Sequence, residues 1–310
     1  MKKWCIIIAG PTATGKTAIA IELAKHFSTS IISADSRQCY KELEIGVAKP
    51  TTEEINSIPH YFINSHSIHQ NVTAADFEKF ALNAANEVFR KNDIVIMVGG
   101  TGLYIKAFCE GLDPIEPVED SVRDTIIENY KKKGIQWLQE EVKTVDPIFY
   151  NQGEIYNPQR LMRALEVKIT TGISITSFQS GNKKPRDFDI LKIGLDLPRE
   201  ELYHRINQRT DRMMKDGLLE EVKRLIRYRS LNALQTVGYK ELFLFLDRTI
   251  TLEKAVEMIK QNTRHYAKRQ VTWFTKDPGI TWVAPDDTRK ILEFILINTS
   301  LPGGTRKQSA

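Results

Sequence analysis

The sequence predicts an α/β fold: a P-loop core with a parallel sheet flanked by helices, plus a helical insertion domain. Three observations predict it. Continuous apolar runs alternate with helical patterns in the N-terminal third, and "GPTATGKT" (Gly10–Thr17) joins the first such run to the first helix. Beyond Gly111 the texture turns to charged helical sequence, and strand character returns only at "ILKIGLDL" (190–197). Short runs apolar at every position, rather than at alternate ones, belong to strands covered on both faces, which is the situation in a parallel sheet.

In chain order, residues 3–9 read as a strand, and "GKTAIAIELAKHF" as a helix with Ala18, Ile19, Leu23 and Phe27 on its inner face. "SIISAD" is a second short strand ending at Asp35, residues 73–91 form a helix with Thr73 as N-cap, and "IVIMV" (94–98) is a third strand. Residues 113–119 carry two prolines, charged helical sequence runs on to about 177, and "QSGNKKPRD" closes it. Residues 113–185 are therefore read as an insertion into a core made of 1–112 and 186–301. The core resumes with a strand at 190–197, continues mostly helical, and ends with a strand at "ITWVA" and a further helix; the tail 302–310 reads as disordered. No internal repeat is visible.

Composition excludes several classes. A chain of 310 residues with 41% hydrophobic and 27% charged residues is an ordinary globular protein with one large core or two modest ones. A formal charge of +5 permits a polyanionic partner without requiring one. Cys5, Cys39 and Cys109 are scattered without a CxxC pair, which argues against a disulfide framework and against a zinc site. "MKKWCIIIA" imitates a signal peptide, but its apolar run is short and leads straight into the glycine-rich loop. No run approaches the ~20 apolar residues of a membrane span. A cytoplasmic protein is expected, without a membrane partner. In the absence of heptads it is expected to be a monomer.

Gly10, Gly15, Lys16 and Thr17 match GxxxxGK[ST], with Pro11, Thr12, Ala13 and Thr14 completing the loop. Backbone N–H groups at a helix N-terminus cradle phosphate oxygens, Lys16 adds a point charge, and the Thr17 hydroxyl can hold Mg²⁺. A chance match in a chain of this composition is on the order of 1 in 100. The hydrolase layout also needs an acid at the carboxyl end of a neighbouring strand. "IVIMV" ends instead in "GGTG", and Asp93 precedes that strand, at the wrong edge. Asp35 is the acid at the right edge. Alone it would be a cap or turn residue; beside a phosphate loop it suits general-base work.

Other residues keep two readings each. In "ELYHRINQRTDRMM", Leu202, Ile206, Arg209 and Met213 share one helical face, so Arg209 must meet an anion: a phosphate clamp or a structural salt bridge. Thr101, after the glycines of "GGTGLYIKA", is a site residue or merely a helix cap. "NPQRLMRALEV" opens a helix with Asn157 as cap, Pro158 in the first turn, and Arg160 and Arg163 three apart. "KQNTRHYAKRQVTWFTK" (260–276) interleaves Lys260, Arg264, Lys268 and Arg269 with Tyr266, Trp273 and Phe274, which suits nucleic acid or a solvated face. Gln270 falls on the apolar side of that helix, with Val256, Ile259, Thr263 and Ala267, so it needs a partner.

Together these pieces resemble the tRNA dimethylallyltransferase (tRNA isopentenyltransferase) family over nearly the whole chain. The resemblance is carried by eight blocks in order: "GPTATGKT", "ISADSRQCY" (32–40), "GVAKPT" (46–51), "VGGTGLYIKA" (98–107), "NPQRLMRALEV" (157–167), "RINQRTDRMM" (205–214), "VGYKE" (237–241) and "KRQVTWF" (268–274). The family's loop more often has Ser where this chain has Thr14, and the zinc finger of some eukaryotic relatives has no cysteines here.

The resemblance implies transfer of the isoprenoid of dimethylallyl diphosphate to the exocyclic amine of the adenosine just 3′ of the anticodon (tRNA position 37), giving N6-isopentenyladenosine. Lys16, Thr17 with Mg²⁺ (Asp35 as a possible second ligand) and Arg209 would neutralise the leaving diphosphate. Asp35 would take the amine proton, with Thr101 and Arg209 also catalytic. The anticodon stem-loop would be contacted by Asp35, Ser36, Arg37, Gln38, Thr101, Arg123, Gln159, Arg160, Leu161, Met162, Arg163, Gln235, Thr236, Val237, Gly238, Tyr239, Lys240, Lys268, Arg269, Gln270 and Trp273. Three rivals stand beside this reading. A P-loop small-molecule kinase shares the loop but not the insertion, and an adenylate (cytokinin-type) isopentenyltransferase shares the core. A non-catalytic RNA-binding module would leave Asp35 and Arg209 idle.

Overall fold

The computed structural model describes residues 2–178, 181, 183–286 and 288–299, so the tail 302–310 lies outside the described residues. The chain divides into two compact units: one ends at Cys109 and resumes at Pro185, and the other spans Glu110–Lys184.

The first unit opens with β1 (Trp4–Ala9), α1 (Lys16–His26), β2 (Ile31–Ser33), α2 (Thr52–Ser57), β3 (His60–Tyr61), α3 (Ala74–Phe89), β4 (Ile94–Gly99) and α4 (Gly102–Glu110). The second unit holds α5 (Asp120–Val145), α6 (Pro147–Gln152) and α7 (Pro158–Thr171). The first then resumes with β5 (Asp189–Leu195), α8 (Arg199–Lys215), α9 (Leu218–Leu225), α10 (Tyr239–Leu246), α11 (Leu252–Phe274), β6 (Ile280–Val283) and α12 (Thr288–Thr299).

Six strands form one sheet in the order β3-β2-β4-β1-β5-β6, every pair parallel. All strands therefore point one way, and ligands of such sheets bind beyond their carboxyl ends. The two-residue period of β1 sends Cys5, Ile7 and Ala9 to a face covered by α3, α4 and α9–α11. Ile6 and Ile8 go to the opposite face, against α1 and α12. Ile6, Ile7 and Ile8 are fully buried. Each contributes about 1.5–3 kcal/mol, which is why an uninterrupted apolar run is tolerated only at the centre of a two-faced sheet.

Thr73 caps α3 through a reciprocal capping box with Asp76, and Asn157 caps α7 with Pro158 in the first turn. Some expectations are corrected. Ala18 is exposed rather than on the inner face of α1, whose buried residues are Ile19, Ala20, Ile21, Leu23 and Ala24. Strand β2 stops at Ser33, because Asp35 begins a turn of its own. Helix α2 and the edge strand β3 carry no strong apolar period and were not foreseen.

The second unit has its own core, built from Leu138, Val142, Phe149, Leu161, Met162 and Leu165 among others. Its longest helix breaks at Gly134, whose φ of 78° no helix accommodates. Fully buried Asp146 caps α6, accepting from the Phe149 N–H at 3.0 Å and the Ser174 hydroxyl at 2.8 Å.

Candidate active site

The phosphate loop follows β1 directly. Gly15 takes φ 86°, a left-handed position at the foot of α1 that a side chain would strain, and α1 then starts at Lys16. The Thr14 hydroxyl is buried and donates to the Pro11 carbonyl at 2.9 Å, which locks the loop from inside. The first N–H groups of an α-helix have no partner within it, so the foot of α1 is a ready anion site.

Two cations converge on this loop. Lys16 donates from Nζ to the Pro11 carbonyl, and Arg209, on α8, donates from Nη1 to the Thr12 hydroxyl at 3.0 Å. Both side chains retain some solvent access, yet both are surrounded by protein. Burial pushes the Lys16 ammonium down to about 7, and the neighbouring Arg209 charge adds to the shift; Asp35 pulls the other way. Burial likewise lowers Arg209, again opposed by Asp35. No ion pair is formed by Lys16 or Arg209 among the described residues. Of the two partners the sequence allowed Arg209, a carboxylate in ion-pair contact is not found among the described residues, although the charge of Asp35 is felt by both Lys16 and Arg209. Two partly enclosed cations at the foot of a helix suit an anionic ligand.

Asp35 lies just past β2, separated from β1 by β4 in the sheet order. Its Oδ1 accepts the N–H groups of Arg37 at 2.8 Å and Gln38 at 3.3 Å. The turn role and the chemical role therefore coexist: Oδ1 holds the turn, while Oδ2 takes no hydrogen bond among the described residues. Thr101, at the end of β4, accepts the Ser36 N–H on Oγ1 at 3.1 Å, and its own N–H goes to the Ala34 carbonyl at 3.2 Å. It is a clamp between the ends of β2 and β4 as well as a helix-start residue. Asp93 sits at the opposite edge, paired with Lys3 at 2.7 Å, so β4 brings no acid to the loop.

Gln270 has the partner its position demanded. Only 6% exposed, it accepts the Thr12 N–H on Oε1 and donates from Nε2 to the Gly100 carbonyl, each at 2.9 Å. It thus fastens α11 to both the phosphate loop and the β4 turn. The approach is close: a Cβ on Gly100 would come 2.1 Å from the Gln270 amide, and one on Gly102 would come 2.1 Å from the Trp273 ring.

The residues expected to touch RNA fall into distinct groups. Lys268, Arg269 and Trp273 are exposed on α11, Trp273 at 39%. Gln235 and Lys240 are exposed, Thr236 and Val237 half-buried. In the second unit Gln159 is exposed, Arg160 pairs with Glu154 at 2.6 Å, and Arg163 and Arg123 both reach buried Glu166, at 3.1 and 3.7 Å. The Gln38 amide is spent inside the protein, donating to the Val47 and Ala48 carbonyls at 3.3 and 2.9 Å.

Four expectations are corrected. Leu161 and Met162 are core side chains of the second unit, placed inward by the apolar face of α7. Tyr239 is fully buried, with its hydroxyl on Glu221, and Gly238 beside it is buried too. Gln270 holds the protein's own backbone. Within α11, Lys260 is paired with Asp211 at 2.8 Å, and Arg264 donates to Asn207 at 2.7 Å.

Two functional neighbours escaped the sequence reading. Tyr266, quoted only as part of a basic-aromatic stretch, keeps 37% of its surface exposed, while burial of its phenol and then the charge of Asp35 push that group up to about 12. It stands one turn before Gln270, and that shared face was the available signal. Glu221 is a fully enclosed acid in α9, on the same face as Leu218, Val222 and Leu225. An acid inside an apolar stripe is detectable in sequence by the same argument used for Arg209.

Fold and site define a P-loop α/β protein whose loop is met by two cations that form no ion pair among the described residues. The family model for IPP transferases matches residues 38–277, beginning just past the loop and Asp35. The tRNA dimethylallyltransferase of Cytophaga hutchinsonii is 45% identical over 295 residues, covering 95% of this chain and 97% of that protein. Among solved structures, the tRNA isopentenylpyrophosphate transferase of Bacillus halodurans aligns with a TM-score of 0.71 at 33% identity, over 97% of this chain and 96% of that one. A eukaryotic dimethylallyltransferase described as acting on tRNA aligns with a TM-score of 0.77 at 28% identity, over 96% of this chain and 79% of that one. The chain belongs to the IPP transferase family.

Proposed function

We propose that this chain transfers the dimethylallyl group of dimethylallyl diphosphate to the exocyclic amine of the adenosine just 3′ of a tRNA anticodon, position 37. The observation that carries the site assignment is the pair Lys16 and Arg209, two cations turned on the phosphate loop with no carboxylate paired to either among the described residues. A diphosphate supplies what they lack. It is bound by the loop N–H groups, Lys16, Arg209 and Thr12, and its negative charge grows as the C–O bond to the isoprenoid breaks. The amine nitrogen forms the new C–N bond and its proton passes to Asp35 Oδ2, the oxygen left free by the turn. Thr101, held by Ser36, lines the same edge and orients the base.

Mg²⁺ fits the donors present: the Thr17 hydroxyl, with Asp35 as a further hard oxygen, and the diphosphate for the rest. Bound there, the cation would share the leaving group's charge. Among the described residues no set of three His, Cys, Asp or Glu forms a closed metal cage, which suits a cation that arrives with its substrate. The target base must leave its stack to be reached. Exposed Lys268, Arg269 and Trp273 on α11, together with the 110–184 unit, are proposed to hold the anticodon stem-loop. Among the described residues no helix is long and apolar enough to cross a membrane. Action on tRNA in the cytoplasm, by a monomer, completes the reading.

The test is one purified preparation assayed two ways. Incubation with dimethylallyl diphosphate, Mg²⁺ and unmodified tRNA should add one isopentenyl unit to adenosine, while ATP turnover stays at background because β4 ends without an acid. Prenylation of free adenine nucleotide instead of tRNA would favour the cytokinin-type alternative. ATPase activity stimulated by tRNA, without prenylated adenosine, would overturn the assignment.

A further inference from the structure

The buried acid of α9 is connected to the active-site turn by hydrogen bonds and one short stretch of backbone, residues 44–48. Glu221 is 1% exposed, and its two oxygens accept four donors: the N–H groups of Glu44, Ile45 and Gly46 at 3.2, 2.8 and 3.1 Å, and the Tyr239 hydroxyl at 2.5 Å. Burial, then the Glu221 charge, pushes the Tyr239 phenol far above its ordinary value, so it stays a donor. The hydroxyl end of the Tyr239 ring also packs on Gly46, where a Cβ would come 2.5 Å from Cε2. The segment so anchored, 44–48, then presents two carbonyls to one side chain. Val47 and Ala48 accept both amide hydrogens of Gln38, and the Gln38 carbonyl takes the Ser33 hydroxyl at 3.1 Å. Gln38 in turn gives its backbone N–H to Asp35 Oδ1.

We infer that Glu221 is a positioning residue for the transfer reaction: it fixes the 44–48 segment, and through Gln38 it fixes the rotation of the Asp35 carboxylate. This rests on Asp35 being the base. The physical argument is saturation. Four donors on one enclosed carboxylate leave that acid no freedom, and the Gln38 amide has its two N–H groups and its oxygen all engaged. Only the far end of the set, Asp35 Oδ2, remains open. Asp35 is held by the N–H groups of its own turn, and pinning the Gln38 side chain to the 44–48 segment fixes where one of those N–H groups points. Displacement of a reacting group by about 1 Å can lower turnover by up to about 10²-fold.

The test compares Glu221→Gln, Asp35→Asn and the double variant in single-turnover prenyl transfer with saturating tRNA. Glu221→Gln should slow transfer by about 10- to 100-fold while leaving the KM for dimethylallyl diphosphate within about twofold, since the phosphate loop is not part of the set. The double variant should be no slower than Asp35→Asn alone, because Glu221 acts through Asp35. Additive losses, a wild-type rate for Glu221→Gln, or a parallel rise in KM would overturn the inference. A wild-type rate for Asp35→Asn alone would instead overturn the base assignment, which separates the two failures. If Glu221→Gln does not fold, Tyr239→Phe keeps the ring on Gly46 and removes one donor; the same non-additivity with Asp35→Asn is expected of it, and its absence refutes the inference equally.

Discussion

Asp35 and Arg209 illustrate how much a single residue can be asked to do. Asp35→Ala should leave both substrates bound and lower single-turnover transfer by about 10²–10⁴-fold, the usual range for a lost general base. Near-normal turnover on saturating tRNA would remove it from that role. Arg209 donates to the Thr12 hydroxyl and forms no ion pair among the described residues, which is the basis for proposing it as a ligand for the diphosphate. Arg209→Ala should therefore raise the KM for dimethylallyl diphosphate and slow transfer, with tRNA affinity nearly intact. If the variant bound the diphosphate normally but unfolded more easily, Arg209 would be structural. Its inward position was legible from spacing; the absence of a carboxylate facing it was not, because that depends on which segments fold around α8.

At the scale of elements, the contact between α11 and the β4 turn is the tightest near the site. Gly100→Ala would drive a methyl into the Gln270 amide, 2.1 Å away, and break its bonds to Thr12 and Gly100. A stability loss of about 1–3 kcal/mol is expected from such overpacking, read as a lower urea midpoint, together with weaker diphosphate binding. The edge strand β3 offers a pH test. His60 donates from Nδ1 to the Ile58 carbonyl at 2.7 Å, and its Nε2 is buried without a partner. Burial holds its pKa below the ordinary 6.5 in the folded chain. As pH falls, the unfolded chain takes up this proton first, so the neutral His60 contribution is complete above that value and is lost as pH drops through it. The urea midpoint should fall between about pH 7.5 and about pH 5.5, and His60→Gln should flatten part of that slope. An unchanged slope in the variant would mean that His60 is solvated in the folded state.

For the whole molecule, charge governs how binding responds to salt. Binding of tRNA should weaken steeply as salt rises, and binding of the diphosphate much less, since polyanion binding releases counterions in proportion to the phosphates neutralised. Removing the two exposed cations in Lys268→Ala/Arg269→Ala should reduce the slope of log affinity against log salt by about 1–2. An unaltered slope would place the RNA elsewhere on the surface.

The sequence by itself determined most of the sheet and the phosphate loop, because each is local, and its resemblance to a family supplied the candidate chemistry. An apolar run such as 4–9 must be buried on both faces, "GPTATGKT" joins a strand to a helix foot that suits an anion, and Asp35 follows closely on a strand end. It also located Gln270 and Arg209 as polar groups on apolar faces, since helical period is a local property. What each of them meets was decided by tertiary structure. Gln270 meets the backbone of Thr12 and Gly100, Tyr239 turns inward to Glu221, and Leu161 and Met162 fill a core, although all were equally plausible RNA contacts in one dimension. The Glu221 set joins positions more than 170 residues apart, at separations of 175, 176 and 177 to the 44–46 backbone. No window along the chain spans such a distance. Local period says which side chains must be enclosed, and only the packed fold supplies the atoms that enclose them.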